Sequence, residues 1–152
     1  MLPNHFPLPD LAATQALADL IAPHLRVGDV VALQGELGAG KTAFARALLR
    51  VRGVEGDIPS PTFTLVQTYE VGSLAIAHFD LYRLKSADEL DELGWDDALA
   101  FGIVLVEWPE RAGGRLPLSR LSLKFSLDAG GARSCVAEKG GDWDERLCLA
   151  FS

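Results

Sequence analysis

A chain of 152 residues, 49% of them hydrophobic, can fill the core of one domain, and we expect residues 1–152 to form a single one. Its formal net charge of −7 argues against a stand-alone nucleic-acid binder, since phosphate neutralisation dominates such affinity. No apolar run nears the roughly 20 residues that span a bilayer, and Met1 to Pro9 carries no basic segment or long apolar run, so a cytoplasmic protein without a signal peptide is expected.

Taken in order, Asp10 is a candidate N-cap for a helix over Leu11 to Leu25, with Ala13, Leu17, Leu20 and Ile21 on one face. Val30 to Leu33 reads as a short buried strand leading to Gly35, and Thr42 to Val51 as a helix stopped by Gly53. After a loop, Ser60 to Tyr69 reads as a strand entered from a Pro-fixed segment. Val71-Gly72-Ser73 turns the chain into a second strand, Leu74 to Asp80, so the two predict an antiparallel hairpin. Ser86-Ala87-Asp88-Glu89 has the form of a capping box before a helix ending near Gly94, and Trp95 to Phe101 reads as another short helix. Asp88 to Glu92 is most simply the solvated face of that first helix, with contact to a basic partner as the alternative. Ile103 to Glu107 is a continuous apolar run closed by an acid, as suits a parallel strand covered on both faces. Leu121, Leu123, Phe125 and Leu127 alternate, and Arg133 to Lys139 and Arg146 to Phe151 are two further strand candidates. The fold class expected is α/β, a three-layer sandwich of the kind built around phosphate-binding loops, its mixed sheet parallel at the centre and antiparallel at the edges. Cys135 and Cys148 fit no metal spacing; free thiols are expected over a pair facing each other on neighbouring strands.

The chemistry centres on Gly35-Glu36-Leu37-Gly38-Ala39-Gly40-Lys41-Thr42, which fits G-x-x-x-x-G-K-[ST] between a strand and a helix, the pattern of a phosphate-binding loop. Gly35, Gly38 and Gly40 permit a close backbone approach. The amides of Leu37, Gly38, Ala39, Gly40, Lys41 and Thr42 are then aimed at β-phosphate oxygens, Lys41 at the β- and γ-phosphates, and the Thr42 hydroxyl at Mg²⁺. Two acids, Asp80 and Glu107, close apolar strands. The more uniformly apolar approach assigns Glu107 to the metal, leaving Asp80 to orient water or support the metal's surroundings. Thr62 and Thr64 are either γ-phosphate sensors or ordinary strand threonines. Trp108 is first a packing residue, with nucleotide or partner contact as alternatives. His78 reads as a structural histidine.

The loop, Ser60-Pro61-Thr62-Phe63-Thr64-Leu65-Val66, His78-Phe79-Asp80-Leu81-Tyr82-Arg83-Leu84 and Leu105-Val106-Glu107-Trp108-Pro109 together resemble the TsaE family, the small bacterial ATPases of tRNA threonylcarbamoyladenosine synthesis. The resemblance covers nearly the whole chain. It implies bound ATP and Mg²⁺, with Thr42 and Glu107 at the metal, and activity that needs Asp80 and Trp108. It further implies a nucleotide contact from Arg133 and one near Leu11 through backbone. It implies assembly with the TsaB and TsaD proteins, whose cycle ATP hydrolysis resets between turnovers. The tRNA would then be met only indirectly, held by those partners, as the acidic balance here allows. The chain has Glu36 where many members have Asp, and its last third matches loosely. Two other readings compete: a small-molecule kinase, which needs an acceptor pocket and an arginine-bearing lid, and a non-catalytic nucleotide-binding interaction module.

Overall fold

The structure is a computed structural model that describes residues 4–151, the side chains of 148–151 excepted. Seven strands form one sheet: β1 (His5–Pro7), β2 (Val30–Gln34), β3 (Val66–Val71), β4 (Leu74–Asp80), β5 (Gly102–Glu107), β6 (Leu121–Leu127) and β7 (Arg133–Lys139). Their order is β1-β7-β6-β2-β5-β4-β3. The four central strands, β6, β2, β5 and β4, run parallel, while β7, β1 and β3 pair antiparallel at the two ends. The expected mixed sheet is therefore the one that forms.

Successive residues of the central strands feed two apolar layers, as the period of two in a pleated strand requires. On one face Val31, Leu33, Ile103, Leu105, Leu121, Leu123 and Phe125 pack under α1 (Leu11–Ile21), α2 (Lys41–Val51) and α5 (Trp143–Phe151). On the other, Val30, Ala32, Val104, Val106 and Phe79 pack with Leu90 of α3 (Glu89–Glu92) and Trp95 of α4 (Trp95–Phe101).

Local chemistry sets the helix ends. Asp10 caps α1 as expected, its carboxylate accepting from the Ala13 amide at 2.9 Å. The buried stripe of α1 is Thr14, Leu17, Ala18 and Ile21, so Ala13 and Leu20 lie at its margins. The helix stops at Ile21 instead of Leu25, and a 3-10 turn over Ala22–His24 follows. Pro23, which has no N–H to continue the ladder, accounts for the early end. α2 closes in a Schellman arrangement, with Gly53 N donating to Arg50 O at 3.1 Å and Val54 N to Leu49 O at 3.0 Å. Before α3 the Ser86 hydroxyl accepts from the Asp88 amide and the Glu89 carboxylate from the Lys85 amide. The expected capping box is therefore not the cap of α3: its N-cap is Asp88, which makes no side-chain capping bond, and the Ser86 and Glu89 bonds hold the turn that precedes it.

Two strand expectations are corrected. Ser60 to Leu65 is not strand: Leu65 N donates to Pro61 O at 2.7 Å in a turn, and β3 begins at Val66. Hydroxyl bonding holds that turn, because Ser60 Oγ and Thr62 Oγ1 lie 2.7 Å apart and Thr62 bonds onward to Asp80. Arg146 to Phe151 is helix, the body of α5. The edge of β7 that a further strand would need is already taken by β1, and Trp143 and Leu147, four residues apart, both enter the core. β1 itself was not foreseen, since three residues ending in Pro7 give a weak strand signal; an edge strand tolerates the proline. Cys135 is free and buried. Cys148 lies on a helix, which removes the neighbouring-strand pairing, and its side chain is outside the described residues. Among the described residues no helix is long and apolar enough to cross a membrane.

Candidate active site

A cavity of about 460 Å³ opens at the carboxyl ends of the parallel strands, the usual place for a ligand on such a sheet. Leu37, Gly38, Gly40, Lys41 and Thr42 line it from the glycine-rich loop, Asp80 and Glu107 from the ends of β4 and β5, and Leu11 and Arg133 from α1 and β7. Register explains why the two acids meet: Asp80 is the partner of Glu107, and Glu107 is also the partner of Leu33 just before the loop. Ala39 is fully buried in the loop and does not line the cavity, its amide donating to Glu36 O at 3.1 Å.

The loop is held in shape by close packing. A Cβ on Gly35 would lie 2.5 Å from the Phe125 carbonyl oxygen, so only glycine lets β2 leave the sheet beside β6. Gly40 stands at the N-cap of α2 with φ +112°, which carries the chain into the helix with its first amides facing the cavity. Arg133 Nε donates to Gly38 O at 3.2 Å, fastening the loop to β7.

Lys41 is only 4% exposed. Its ammonium donates to Gly35 O at 2.6 Å and lies 3.7 Å from the centre of the Trp108 ring. Burial lowers its pKa from the ordinary lysine value, and the carboxylates of Glu107, Asp80 and Glu110 offset this only in part. The Thr42 hydroxyl lies 3.0 Å from Glu107 Oε1 and 3.2 Å from Oε2 and donates to that carboxylate. Asp80 is engaged elsewhere. Its Oδ1 accepts from the Tyr82 amide at 3.0 Å and its Oδ2 from the Thr62 hydroxyl at 3.2 Å. The two acids thus hold different stations, Glu107 on the helix threonine and Asp80 on the turn.

Among the less certain residues of the sequence, Thr62 lines the cavity, whereas Thr64 lies at the surface and accepts from Gln67. Trp108 is a cavity residue, carried there by a left-handed backbone (φ +56°, ψ +51°) and stacked near Tyr82 at 4.9 Å. His78 is fully buried, with Nε2 2.7 Å from Glu107 Oε2. Thr14 and Tyr82 also line the cavity. Tyr82 stands within the His78 to Leu84 stretch that resembles the family, and Thr14 within a first helix that resembles it too, but neither was given a role. The acids of Asp88 to Glu92 lie away from the cavity lining, with Asp91 paired to Arg115.

The donor set tests the expected cation. Among the described residues no three His, Cys, Asp or Glu side chains gather as a protein-only cage. One hydroxyl and one carboxylate, already in contact, are oxygen donors that suit a hard ion completed by phosphate oxygens and water. The residues therefore fit Mg²⁺.

Known proteins resemble this chain in sequence and in fold. The family model for the threonylcarbamoyl adenosine biosynthesis protein TsaE matches residues 8–135. A Rickettsia felis protein described as tRNA threonylcarbamoyladenosine biosynthesis protein TsaE is 48% identical over 98 residues, 64% of this chain and 57% of that one. The match thus spans little more than half the length of that relative. The Bacillus subtilis protein of the same description is 36% identical over 140 residues, 91% of this chain and 87% of that one. The crystal structure of Bacillus subtilis YdiB superposes with a TM-score of 0.78 at 29% identity, covering 97% of this chain and 92% of that one.

Proposed function

This chain belongs to the TsaE family, and from that premise we propose that it is a Mg²⁺-dependent ATPase of the cytoplasm serving tRNA threonylcarbamoyladenosine synthesis. Its hydrolysis resets a complex of TsaB and TsaD between turnovers. The observation that carries the proposal is the contact of Thr42 with Glu107 beside buried Lys41, at the head of a helix whose first amides face a cavity.

Each group has a task that its surroundings support. The amides of the loop and of the first turn of α2 bind phosphate oxygens, aided by the helix dipole. Lys41 exchanges the Gly35 carbonyl for the β- and γ-phosphates, a stronger, charge-assisted bond. Thr42 and Glu107 hold the cation, which when bound neutralises charge developing on the phosphates. Asp80, with each oxygen already bonded to Tyr82 N or Thr62 Oγ1, has a fixed orientation and lone pairs left to align a water on the γ-phosphate. Arg133 and the exposed Leu11 and Leu37 border the nucleotide. Threonylcarbamoyl transfer itself belongs to the partners, and the acidic chain leaves the tRNA to them.

The test is multiple-turnover tRNA modification with TsaB, TsaD and ATP. Modification should stall after about one round without this chain, and equally with Lys41→Ala. Full turnover in its absence overturns the proposal. Phosphate transfer from ATP to a small acceptor without TsaB and TsaD would make it a kinase. Assembly without any ATP turnover would make it a nucleotide-binding module.

A further inference from the structure

His78 is the least economical residue in the core. It lies on β4 between Gln67 of β3 and Leu105 of β5, two residues before Asp80, and is 0% exposed. Its Nδ1 has no hydrogen-bond partner among the described residues. Leaving a buried polar atom unpaired is unfavourable, and an aliphatic side chain would avoid that cost. Among the described residues the ring's single polar link is Nε2 to Glu107 Oε2, at 2.7 Å. A carboxylate only accepts, so the proton of this bond sits on Nε2.

Glu107 is thus held from two sides. His78 holds Oε2 from within the core, while the Thr42 hydroxyl lies closer to Oε1 than to Oε2. We propose that His78 is a positioning residue, whose Nε2–H fixes the Glu107 carboxylate so that Oε1 is presented beside Thr42 to the cation. This rests on the reading of Thr42 and Glu107 as the cation's ligands. Residues that orient a metal-binding group in this way typically change metal affinity by about 10–100-fold when lost.

Two amide substitutions separate positioning from packing. The amide nitrogen of His78→Gln reaches the place of Nε2, whereas that of His78→Asn reaches only the place of Nδ1. Mn²⁺ binding to the complex of the full chain with ADP, followed by electron paramagnetic resonance, needs neither turnover nor partners. Asn should weaken Mn²⁺ by about 10–100-fold and Gln by no more than about threefold. In the unsubstituted protein, ring ¹⁵N shifts should show His78 carrying a proton on Nε2. Equal affinities for Gln and Asn, a tenfold loss with Gln, or an Nε2 without a proton would overturn the proposal. Should Asn fail to fold, the Gln affinity and the ring shifts still decide. If the unsubstituted protein binds ADP but no Mn²⁺, the cation reading of Thr42 and Glu107 falls, and this inference with it.

Discussion

Lys41→Met should leave the fold nearly as stable as before while removing most of its affinity for ATP. In the free protein the ammonium is 4% exposed, and its pKa is lowered because desolvation outweighs the attraction of Glu107, Asp80 and Glu110. A lowered lysine pKa means that the charged form is worse off in the fold than in the unfolded chain, so the charge as such does not stabilise. Methionine keeps most of the aliphatic stem. What is lost is the bond to Gly35 O, about 1 kcal/mol, and the contact of the ammonium with the Trp108 ring, about 0.5–1 kcal/mol. Relief of the desolvation acts in the opposite direction. The net change should stay within about 1 kcal/mol, a Tm shift of no more than about 4 °C for a domain of this size. Binding has no such compensation. At an effective dielectric constant of 20, a unit charge 4 Å from a phosphate oxygen contributes about 4 kcal/mol before its own desolvation. That desolvation has already been met in the free protein, so most of the attraction appears as affinity. Loss of at least about 2–3 kcal/mol, 30- to 150-fold in Kd, is expected by calorimetry or fluorescent-nucleotide titration. A Tm lowered by more than about 6 °C, or ATP affinity within about threefold, would refute this account.

Three further outcomes follow from single features. ATP binding should take up a proton onto Lys41 at alkaline pH, because its pKa is lowered in the free protein and raised again by phosphate charge. Affinity should then fall with rising pH before the ordinary lysine range is reached; calorimetry in buffers of different ionisation enthalpy reads the uptake, and proton release would contradict it. Arg146→Ala should cost about 2 kcal/mol by urea denaturation, since the guanidinium forks onto both Asp29 oxygens (2.9 and 2.6 Å), bonds His24 O and stacks 3.9 Å from Trp143. The Arg26 amide still serves Asp29 afterwards, which keeps the loss below that of an abandoned buried charge; under 0.5 kcal/mol would mean an ordinary surface pair. Cys135 should resist alkylation in the native state, because burial pushes its thiol up to about 12 from 9.0, leaving about a thousandfold less thiolate at pH 8; peptide mapping after iodoacetamide checks this.

How much the sequence settled differs along the chain. The glycine loop and its flanking strand and helix were legible because their constraints are local: phosphate-loop spacing, an apolar strand run, a helical period, a glycine stop. The strand-ending acids Asp80 and Glu107 could be named for the same reason, since each closes its own apolar run. The more uniformly apolar run favoured Glu107 for the metal, but local pattern did not carry why it, and not Asp80, meets Thr42. That depends on β5 lying next to β2 with Glu107 beside Leu33, a pairing between residues more than seventy positions apart. The Ser60–Leu65 turn reads as strand from its β-branched residues, and only the bonds of Thr62 and Leu65 to Asp80 show why it bends. Arg146 to Phe151 could have been strand or helix by composition. The choice was made by an edge already occupied by β1 and by a place in the core for Trp143 and Leu147. His78 shows the division most sharply. In the sequence it reads as a structural histidine of an apolar strand; in the fold it is a fully buried ring whose only polar partner among the described residues is Glu107. Spacing and periodicity determine which groups are available and on which element. Only the closing of the sheet, which brings distant strand ends within a few ångströms, determines which of those groups act on one another.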